Sequence, residues 1–330
     1  MATTEPEPPA AGGETPELSV VIACFNGAET LEETLASLVV QEWDRPWEIL
    51  FADNGSTDAS AALFAASARA HPGVRMRAVD AGAEKGKSHA LNLGIRTAAG
   101  RALLFCDADD TVAPGWLAAM GAALDRHPFV AARIDLARLS PDWTLTSRGL
   151  VQQERLRRLP YPPYALAAGG ATLGFRREVF AAVGGFDPAF AVMEDIDFCI
   201  RAHLKGYALV FVPEAVYHYR FRGDLAAIRR QAYGYNYYRA LLRRRYGAEP
   251  LMTFRPWALL AGRALRLTRQ QAGMALQPRR PSLGARAALA GDWGRLWGQV
   301  RGALAFRVAP PRPQERSRAR SGDMALTPPA

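Results

Sequence analysis

The sequence predicts an α/β protein with a mostly parallel central sheet flanked by helices, followed by an amphipathic helical extension. Short apolar runs alternate with segments of helical period four times between residues 18 and 115, which is typical of a parallel sheet with right-handed crossovers. The runs at 18–23 and 102–106 are apolar throughout, as expected of strands buried on both faces. From residue 225 onward the strand pattern gives way to long arginine-rich segments of helical period.

The individual elements follow from apolar period and turn residues. The first part is predicted to have strands at 18–23, 47–52, 74–79 and 102–106, with helices at 29–40, up to 70, after the residues 85–88 and closed by Gly100, and at 114–126. The second part is predicted to have a strand at 130–133, a strand or loop at 168–175, helices at 176–183 and 193–206, and strands at 208–212 and 216–221. Residues 139–164 have no clear pattern, and helices are predicted at 225–246 and 286–307.

The two ends of the chain are rich in proline, and we expect disordered tails at 1–17 and 310–330. The first tail is acidic, unlike a basic and apolar signal peptide. No apolar run approaches the roughly 18 to 20 residues of a membrane-spanning helix. The cysteines lie far apart in apolar surroundings, which favours reduced core thiols in a cytosolic protein: Cys24, Cys106 and Cys199.

Charge is unevenly distributed along the 330 residues. The segment from Leu225 to Ala330 has 20 arginines, no lysine and four acids, so it carries +16 and leaves −7 for residues 1–224 of the total of +9. An acidic body is suited to hold a cation, and a basic extension is suited to meet an anionic partner.

Three carboxylates directly follow the apolar run at 102–106. Ligands of open α/β sheets bind at the carboxyl ends of strands, and Asp107 and Asp109 have a spacing suited to one divalent cation and its diphosphate. The alternative is a solvated acidic turn that opens the next helix, with Pro114 near its first turn.

Several motifs, in order between residues 18 and 222, resemble glycosyltransferase family 2, whose fold is called GT-A. They are VVIACFNGAETLEETLASL, FADNGSTD, KGKSHALNLGIRTAAGRALLFCDADD, GFRREVFAAVGGFD, EDIDFCIR and KGYALVFVPEAVYHY. The resemblance implies an inverting transfer of a sugar from a nucleotide-sugar donor to an acceptor hydroxyl, aided by a divalent metal. It also implies a donor-binding half at 18–115 and an acceptor-binding, catalytic half at 116–224, before a basic helical extension at 225–309.

Donor contacts are implied by the same resemblance at Ala23, Phe25, Glu29, Asp53, Lys87, Asp107, Arg220 and Arg222. A carboxylate at Asp53 is a natural acceptor for the imide N–H of uracil or thymine, although an aspartate here also suits a turn. Asn54 departs from the many relatives with a second acid at its position. Solvated basic side chains are the alternative for Arg220 and Arg222.

Metal ligation is implied at Asp109 and His218, with Asp107 on the ribose or on a metal-bound water. Since imidazole suits Mn²⁺ better than Mg²⁺, the divalent metal is expected to be Mn²⁺, with Mg²⁺ as the alternative. An ordinary half-buried histidine is the alternative for His218.

The resemblance places the general base at Asp195. Its neighbour Glu194 is coupled to it and is expected either to shift its pKa or to bind the acceptor. The alternative is that both acids merely favour the start of a helix. Further acceptor contacts are implied at Gly169, Gly170 and Phe175.

The sequence therefore predicts a glycosyltransferase that uses a UDP-sugar, or next a dTDP-sugar, and a glycan, lipid-linked or small-molecule acceptor. One rival, a nucleotidyltransferase, needs a glycine- and arginine-rich phosphate loop after the first strand, which CFNGAET lacks. Another rival is a non-catalytic carbohydrate- or membrane-binding module.

The basic extension permits two hypotheses. Its arginines, with Trp257, Trp293 and Trp297, suit anionic lipid headgroups at the inner face of the cell membrane, or the helices form a cap with arginines outward. A nucleic-acid partner is not expected, because no reader motif is present and the acidic body repels phosphate.

Overall fold

The computed structural model describes residues 15–141, 143, 152–247, 254–277 and 280–311. Most of the two predicted tails therefore lies outside the described residues. The chain forms two compact units. Among the described residues, the first unit comprises 15–141, 143, 152–156 and 168–221, and the second comprises 157–167, 222–247, 254–277 and 280–311.

The strands of the first unit follow the predicted order. They are β1 (Leu18–Cys24), β2 (Trp47–Asp53), β3 (Arg75–Asp80), β4 (Ala102–Phe105), β5 (Thr111–Val112), β6 (Phe129–Asp135), β9 (Leu173–Arg176) and β10 (Val210–His218). Its helices are α1 (Leu31–Val39), α2 (Ser60–Ala70), α3 (Lys87–Thr97), α4 (Trp116–Arg126), α5 (Arg177–Val183) and α6 (Glu194–Leu204), with a 3₁₀ turn at Gly170–Thr172.

These strands form one eight-stranded sheet in the order β3-β2-β1-β4-β9-β6-β10-β5. The pairs β2–β3, β1–β2, β1–β4 and β6–β10 are parallel, and β9 and β5 pair antiparallel with their neighbours. The fold class is therefore confirmed: a mostly parallel sheet with flanking helices. The carboxyl ends of the parallel strands β1, β2 and β4 lie at one edge, where a ligand site is expected.

The core explains why the central strands are apolar throughout. Val20, Ile22 and Leu104 are fully buried. Aromatic rings pack together beside β4 and β9, with Phe105 5.1 Å and Phe198 5.0 Å from Phe175 between ring centroids. Within the described residues all three cysteines are free and buried, as predicted.

A buried carboxylate ties the sheet together at its other edge. Glu48, on β2, is fully buried and accepts hydrogen bonds from Ser19 Oγ at 2.7 Å and Ala99 N at 2.6 Å. The Arg77 guanidinium donates two more, at 2.8 and 3.1 Å. Burial raises the pKa of Glu48, but the hydrogen bonds from these three groups outweigh it and leave the pKa below its ordinary value. The side chain joins β1, β2, β3 and the end of α3.

The structure joins two of the predicted strands, and it adds the two-residue strand β5, which was not predicted. The two strands predicted at 208–212 and 216–221 are one strand, β10, whose pairing with β6 shifts register between Val212 and Val216. Pro213 lies in this bulge, where its lack of an N–H to donate to the neighbouring strand is tolerated. It also divides the apolar run, which is why the sequence predicts two strands.

The second unit contains a short hairpin and three long helices. They are β7 (Arg157–Arg158), β8 (Leu166–Ala167), α7 (Leu225–Tyr246), α8 (Phe254–Ala275) and α9 (Leu283–Phe306). The predicted helices at 225–246 and 286–307 correspond to α7 and α9, whereas α8 was not predicted. None of the helices in the described part of the chain is long and apolar enough to cross a membrane.

Glycines hold α7 and α9 at close range. A Cβ atom added to Gly294 or Gly298 would lie 2.3 Å from a backbone carbonyl oxygen of α7, and one added to Gly302 would lie 2.6 Å from another. Because a side chain at these positions would collide with backbone, the two helices pack backbone to backbone.

Candidate active site

The parallel strands bring two predicted donor-binding residues to one sheet edge. Asp53 ends β2 and pairs in register with Cys24 at the end of β1, next to Ala23. One carboxylate oxygen of Asp53 accepts the Ser56 N–H at 2.9 Å, and the other makes no hydrogen bond with a described residue. The half-buried Asp53 therefore keeps one oxygen available to accept an N–H donor from a ligand.

The turn after β1 lies beside this position and is open to solvent. Phe25 is 56 % exposed, and the Lys85 ammonium lies 5.0 Å from its ring centroid. Glu29 is exposed at the start of α1. An exposed aromatic ring with a cation on it is suited to stack on a base, so the predicted role of this loop fits its geometry.

Asn54 fixes the loop opposite this turn. Its side-chain amide donates to the carbonyl oxygens of Ala81 and Glu84, both at 2.7 Å, and its carbonyl accepts the Gly86 N–H at 2.8 Å. Two acceptors face the amide nitrogen, and an acid could not satisfy them. This explains the amide at a position where the resemblance favours a second acid.

We expect Asn54→Asp to lower the free energy of unfolding by about 1 to 3 kcal/mol, because a carboxylate would face two buried carbonyl oxygens with no donor between them. Urea denaturation at pH 7 measures this change. The control Gln270→Glu makes the same amide-to-acid change at an exposed helical position. Equal urea midpoints for the two variants would show that the hydrogen bonds of Asn54 do not matter.

Three carboxylates converge just beyond β4. Asp107, Asp109 and Asp110 each place one oxygen within 4.8 Å of the others. Burial, and then the charges of Asp109 and Asp107, raise the pKa of Asp110 well above its ordinary value. Such a group of oxygens fits a divalent cation, which would relieve the mutual repulsion.

Both oxygens of Asp110 accept hydrogen bonds from the surrounding fold. The Tyr217 hydroxyl donates to one at 2.9 Å, and the Arg220 N–H donates to the other at 2.6 Å. The same hydroxyl accepts the Asp107 N–H at 3.0 Å. Asp110 and Tyr217 therefore hold the acidic turn in shape, and Asp107 and Asp109 stay the predicted ligand-binding acids of this turn. The sequence analysis assigned no role to either residue, although the run DADD signals the third acid.

His218 lies outside this group of three carboxylates. Its Nδ1 lies 2.7 Å from Asp135, and its buried Nε2 has no hydrogen-bond partner among the described residues. A carboxylate on Nδ1 fixes the tautomer that leaves a lone pair on Nε2, which is the usual arrangement of a metal-binding histidine. The chemistry of His218 fits the predicted ligand role, and its position is at the end of β10 next to Tyr217.

Lys87 joins the acidic turn to a second pair of acids. Its ammonium lies 2.6 Å from one oxygen of Asp107 and 2.8 Å from the other. Burial alone would lower the pKa of Lys87, but the charges of Asp107, Glu194 and Asp195 raise it well above its ordinary value. Three segments distant in sequence thus lie within electrostatic range of one cation.

Glu194 and Asp195 open helix α6. Gly170 N–H donates to one oxygen of Asp195 at 2.8 Å and Ile196 N–H to the other at 2.7 Å. Burial and then the charge of Asp195 raise the pKa of Glu194 to about 8. Burial also raises the pKa of Asp195, but the Gly170 hydrogen bond opposes the rise.

The predicted acceptor residues separate into two kinds. Gly170 contacts Asp195 directly, and a Cβ added to it would lie 3.2 Å from the Asp195 Cβ. Gly169 N–H donates to the Gln152 side chain at 3.0 Å in the adjacent loop. Phe175 does not face the site, because its side chain is fully buried in the aromatic core. We therefore correct its role from acceptor contact to core residue.

The two predicted arginines also differ. The Arg220 guanidinium forms an ion pair with Glu33 and donates to the Asp109 carbonyl at 2.8 Å, so it braces the acidic turn. Arg222 is exposed and begins the second unit.

Comparison with known proteins shows which protein family the chain resembles. The sequence model described as Glycosyl transferase family 2 matches residues 19–184, and the one described as Glycosyl transferase family group 2 matches residues 103–276. The chain is 33 % identical over 148 residues to glycosyltransferase YibD of Escherichia coli (strain K12), an alignment that covers 43 % of this chain and 40 % of that protein.

Two further alignments cover a larger share of the similar protein. The N-acetylglucosaminyl-diphospho-decaprenol L-rhamnosyltransferase of Mycobacterium tuberculosis (strain ATCC 25618 / H37Rv) is 32 % identical over 238 residues, which are 61 % of this chain and 75 % of that enzyme. The structure of mannosyltransferase PcManGT from Pyrobaculum calidifontis, in complex with GDP-Man and Mn²⁺, has a TM-score of 0.57 at 24 % identity and covers 86 % of this chain and 88 % of that one. The latter similarity supports the fold.

Proposed function

The chain belongs to glycosyl transferase family 2, and from this premise we propose that the glycosyltransferase inverts the anomeric centre of a sugar as it moves from a nucleotide diphosphate to an acceptor hydroxyl. One observation carries the proposal. Lys87 pairs with Asp107, and the charges of Glu194 and Asp195 raise its pKa, which supports a single site made of the strand-end acids and the helix-start acids. A cation-binding group and a proton acceptor are the two parts that this reaction requires.

Asp195 is the proposed general base. A sugar hydroxyl is a weak nucleophile, so a carboxylate must accept its proton as the anomeric carbon is attacked from the face opposite the leaving group. The N–H groups of Gly170 and Ile196 fix the Asp195 carboxylate and stabilise its charge. Burial and the charge of Asp195 raise the pKa of Glu194 to about 8, and its protonated form can donate a hydrogen bond to the acceptor.

Asp107 and Asp109 are the proposed ligands of a divalent metal, with His218 as a further candidate. When bound, the metal supplies Lewis-acid stabilisation of the leaving diphosphate. Mn²⁺ is favoured over Mg²⁺ if the His218 imidazole takes part. Lys87, whose ammonium pairs with Asp107, is proposed to donate to a phosphate oxygen of the donor as well.

The donor base is proposed to bind where Asp53 meets the turn after β1. The unoccupied oxygen of Asp53 can accept the imide N–H of uracil, and the exposed Phe25 ring can stack on the base. A UDP-sugar is therefore the proposed donor and a dTDP-sugar the next candidate. Guanine also presents N–H donors to a carboxylate, and PcManGT was solved with GDP-Man, so GDP belongs in the test.

The proposed acceptor is a glycan, a lipid-linked glycan or a small molecule. Among these we favour the lipid-linked class, because the name of the mycobacterial relative gives a diphospho-decaprenol acceptor. Such an acceptor would place the enzyme at a membrane surface, and we propose the inner face of the cell membrane.

A thermal-shift measurement tests the donor site. We expect UDP with Mn²⁺ at about 100 times its dissociation constant to stabilise the folded chain by about 2.7 kcal/mol, which corresponds to roughly 5 to 10 °C in melting temperature. Asp53→Ala should reduce this shift for UDP and dTDP, whereas Asp44→Ala, at an exposed aspartate, should leave it unchanged. Absence of any shift with UDP, dTDP or GDP, with either metal, would refute the proposed donor class.

A further inference from the structure

Helix α8 has two apolar faces, and only one of them is covered within its unit. The covered face contains the buried Leu260 and Leu267, which pack in one cluster with Leu296, Trp257 and Trp293. This packing holds α8 against α9. Trp257 and Trp293, which one hypothesis for the basic extension places at lipid headgroups, belong to this cluster.

A second apolar face runs along the exposed side of the same helix. Its members recur at intervals of three, four or seven residues, which places them on one stripe of an α-helix. We call these residues the α8 stripe: Phe254, Ala258, Ala261, Leu265, Ala272 and Leu276. All six are exposed, and Phe254, Leu265 and Leu276 are 81 %, 52 % and 84 % exposed. Large apolar side chains so exposed in one row indicate a surface that a partner covers.

Arginines border the α8 stripe on one side. Arg255, Arg266 and Arg269 lie about 60 to 120° around the helix from the stripe and are exposed. None of the three forms an ion pair with a described residue, whereas Arg263, toward α9, pairs with Asp292 at 2.5 Å. The sequence from 250 to 291 contains no aspartate or glutamate. The exposed side of α8 is thus apolar and cationic without any compensating acid.

We propose that the α8 stripe binds an anionic lipid surface, with the helix axis in the plane of the membrane interface. An apolar row flanked by arginines is the arrangement that buries side chains at the acyl boundary while cations meet lipid phosphates. A second copy of α8 is a poorer partner, because its arginines would face these arginines with no acid between them. The proposal concerns the second unit and does not depend on the donor chemistry of the first.

Vesicle flotation of the full chain tests the proposal. We expect the protein to float with phosphatidylcholine vesicles that contain about 30 mol% phosphatidylglycerol, an amount that gives a negative surface. We expect it to float poorly with vesicles of pure phosphatidylcholine. Leu265→Glu should lower the partition coefficient by about tenfold or more, because it places a carboxylate in the apolar row. Gln270→Glu is the matched control, since it adds the same charge at an exposed α8 position outside the stripe. The control should lose no more than about fivefold, the usual effect of one charge near the surface.

The triple variant Arg255→Gln, Arg266→Gln, Arg269→Gln should lose roughly 10²-fold in partition onto anionic vesicles, at about fivefold per charge. Equal flotation with neutral and anionic vesicles, no flotation with either, or equal losses for Leu265→Glu and Gln270→Glu would overturn the proposal. Sedimentation velocity tests whether a second copy of the chain is the partner instead. If the parent chain does not float and forms a dimer that Leu265→Glu dissociates, the α8 stripe is a dimer interface. Thermal shift with UDP should be the same for Leu265→Glu and the parent chain, which separates this test from that of the donor site.

Discussion

Asp195→Asn is expected to lower turnover by at least about 10²-fold, the usual contribution of a positioned general base, while donor binding remains. The amide cannot accept the proton of the attacking hydroxyl. It is close in size to the carboxylate and still offers a carbonyl oxygen to the Gly170 N–H, but its NH₂ then faces the Ile196 N–H, so the melting temperature without ligand is measured for the variant as well. Because the Asp195 carboxylate contacts no atom of Asp53 or Phe25 in any described hydrogen bond, the thermal shift with UDP should persist.

The measurement is steady-state release of UDP from a UDP-sugar in the presence of acceptor, or hydrolysis of the donor if no acceptor has been found. Asp44→Asn makes the same chemical change at an exposed aspartate and should behave as the parent chain. Turnover within threefold (about 0.7 kcal/mol) of the parent would remove Asp195 from the mechanism. Loss of turnover together with loss of the UDP shift would indicate an unfolded site, not a missing base.

Glu48→Gln is expected to lower the free energy of unfolding by about 3 kcal/mol, the low end for a broken buried ion pair, because Arg77 is partly solvated. The polar groups that contact the Glu48 carboxylate are all donors: Ser19 Oγ, Ala99 N–H and the guanidinium groups of Arg75 and Arg77. The amide NH₂ of a glutamine would face one of these donors whichever way it turned. The melting temperature should fall by roughly 6 to 12 °C for a unit of this size.

The pH dependence of this effect has a definite sign. The pKa of Glu48 is lower in the folded chain than its ordinary value, so its contribution is present above the unfolded pKa of about 4.3 and is lost as pH falls through the folded value. The difference between parent and Glu48→Gln should therefore be full at pH 7 and shrink toward pH 3 (a value below the ordinary pKa). Glu42→Gln, at an exposed position, is the control. A difference that is independent of pH would contradict the role of the Glu48 charge.

Local pattern was sufficient for the elements that position the donor site. The apolar runs of β1, β2 and β4 and the acids at Asp53 and Asp107 were predicted in order, because a buried strand and its terminal turn are both encoded within about ten residues. Glu194 and Asp195 were also placed at a helix start. The resemblance implied roles for these acids and for Lys87 but not their proximity, and in the structure the charges of both acids raise the pKa of Lys87.

Long-range or two-sided features were not visible in the sequence. Asp110 and Tyr217 bond across 107 residues, and neither has a local signal of the other. Helix α8 was missed because apolar residues occur on two of its faces, Leu260 and Leu267 inward and the α8 stripe outward, so no single period stands out. The strands β5 and β7 have two residues each, too few for any alternation.

The hydrogen bond between Tyr217 and Asp110 also has a consequence for the order in which the protein becomes active. The acidic turn gains this hydrogen bond only when β10 has paired with β6 and brought the Tyr217 hydroxyl to Asp110. A nascent chain that has left the ribosome only as far as β9 has the strands of the donor half but lacks this support. Competence to capture the donor should therefore arise late in synthesis, after residue 217 has emerged, and not when the first four strands fold.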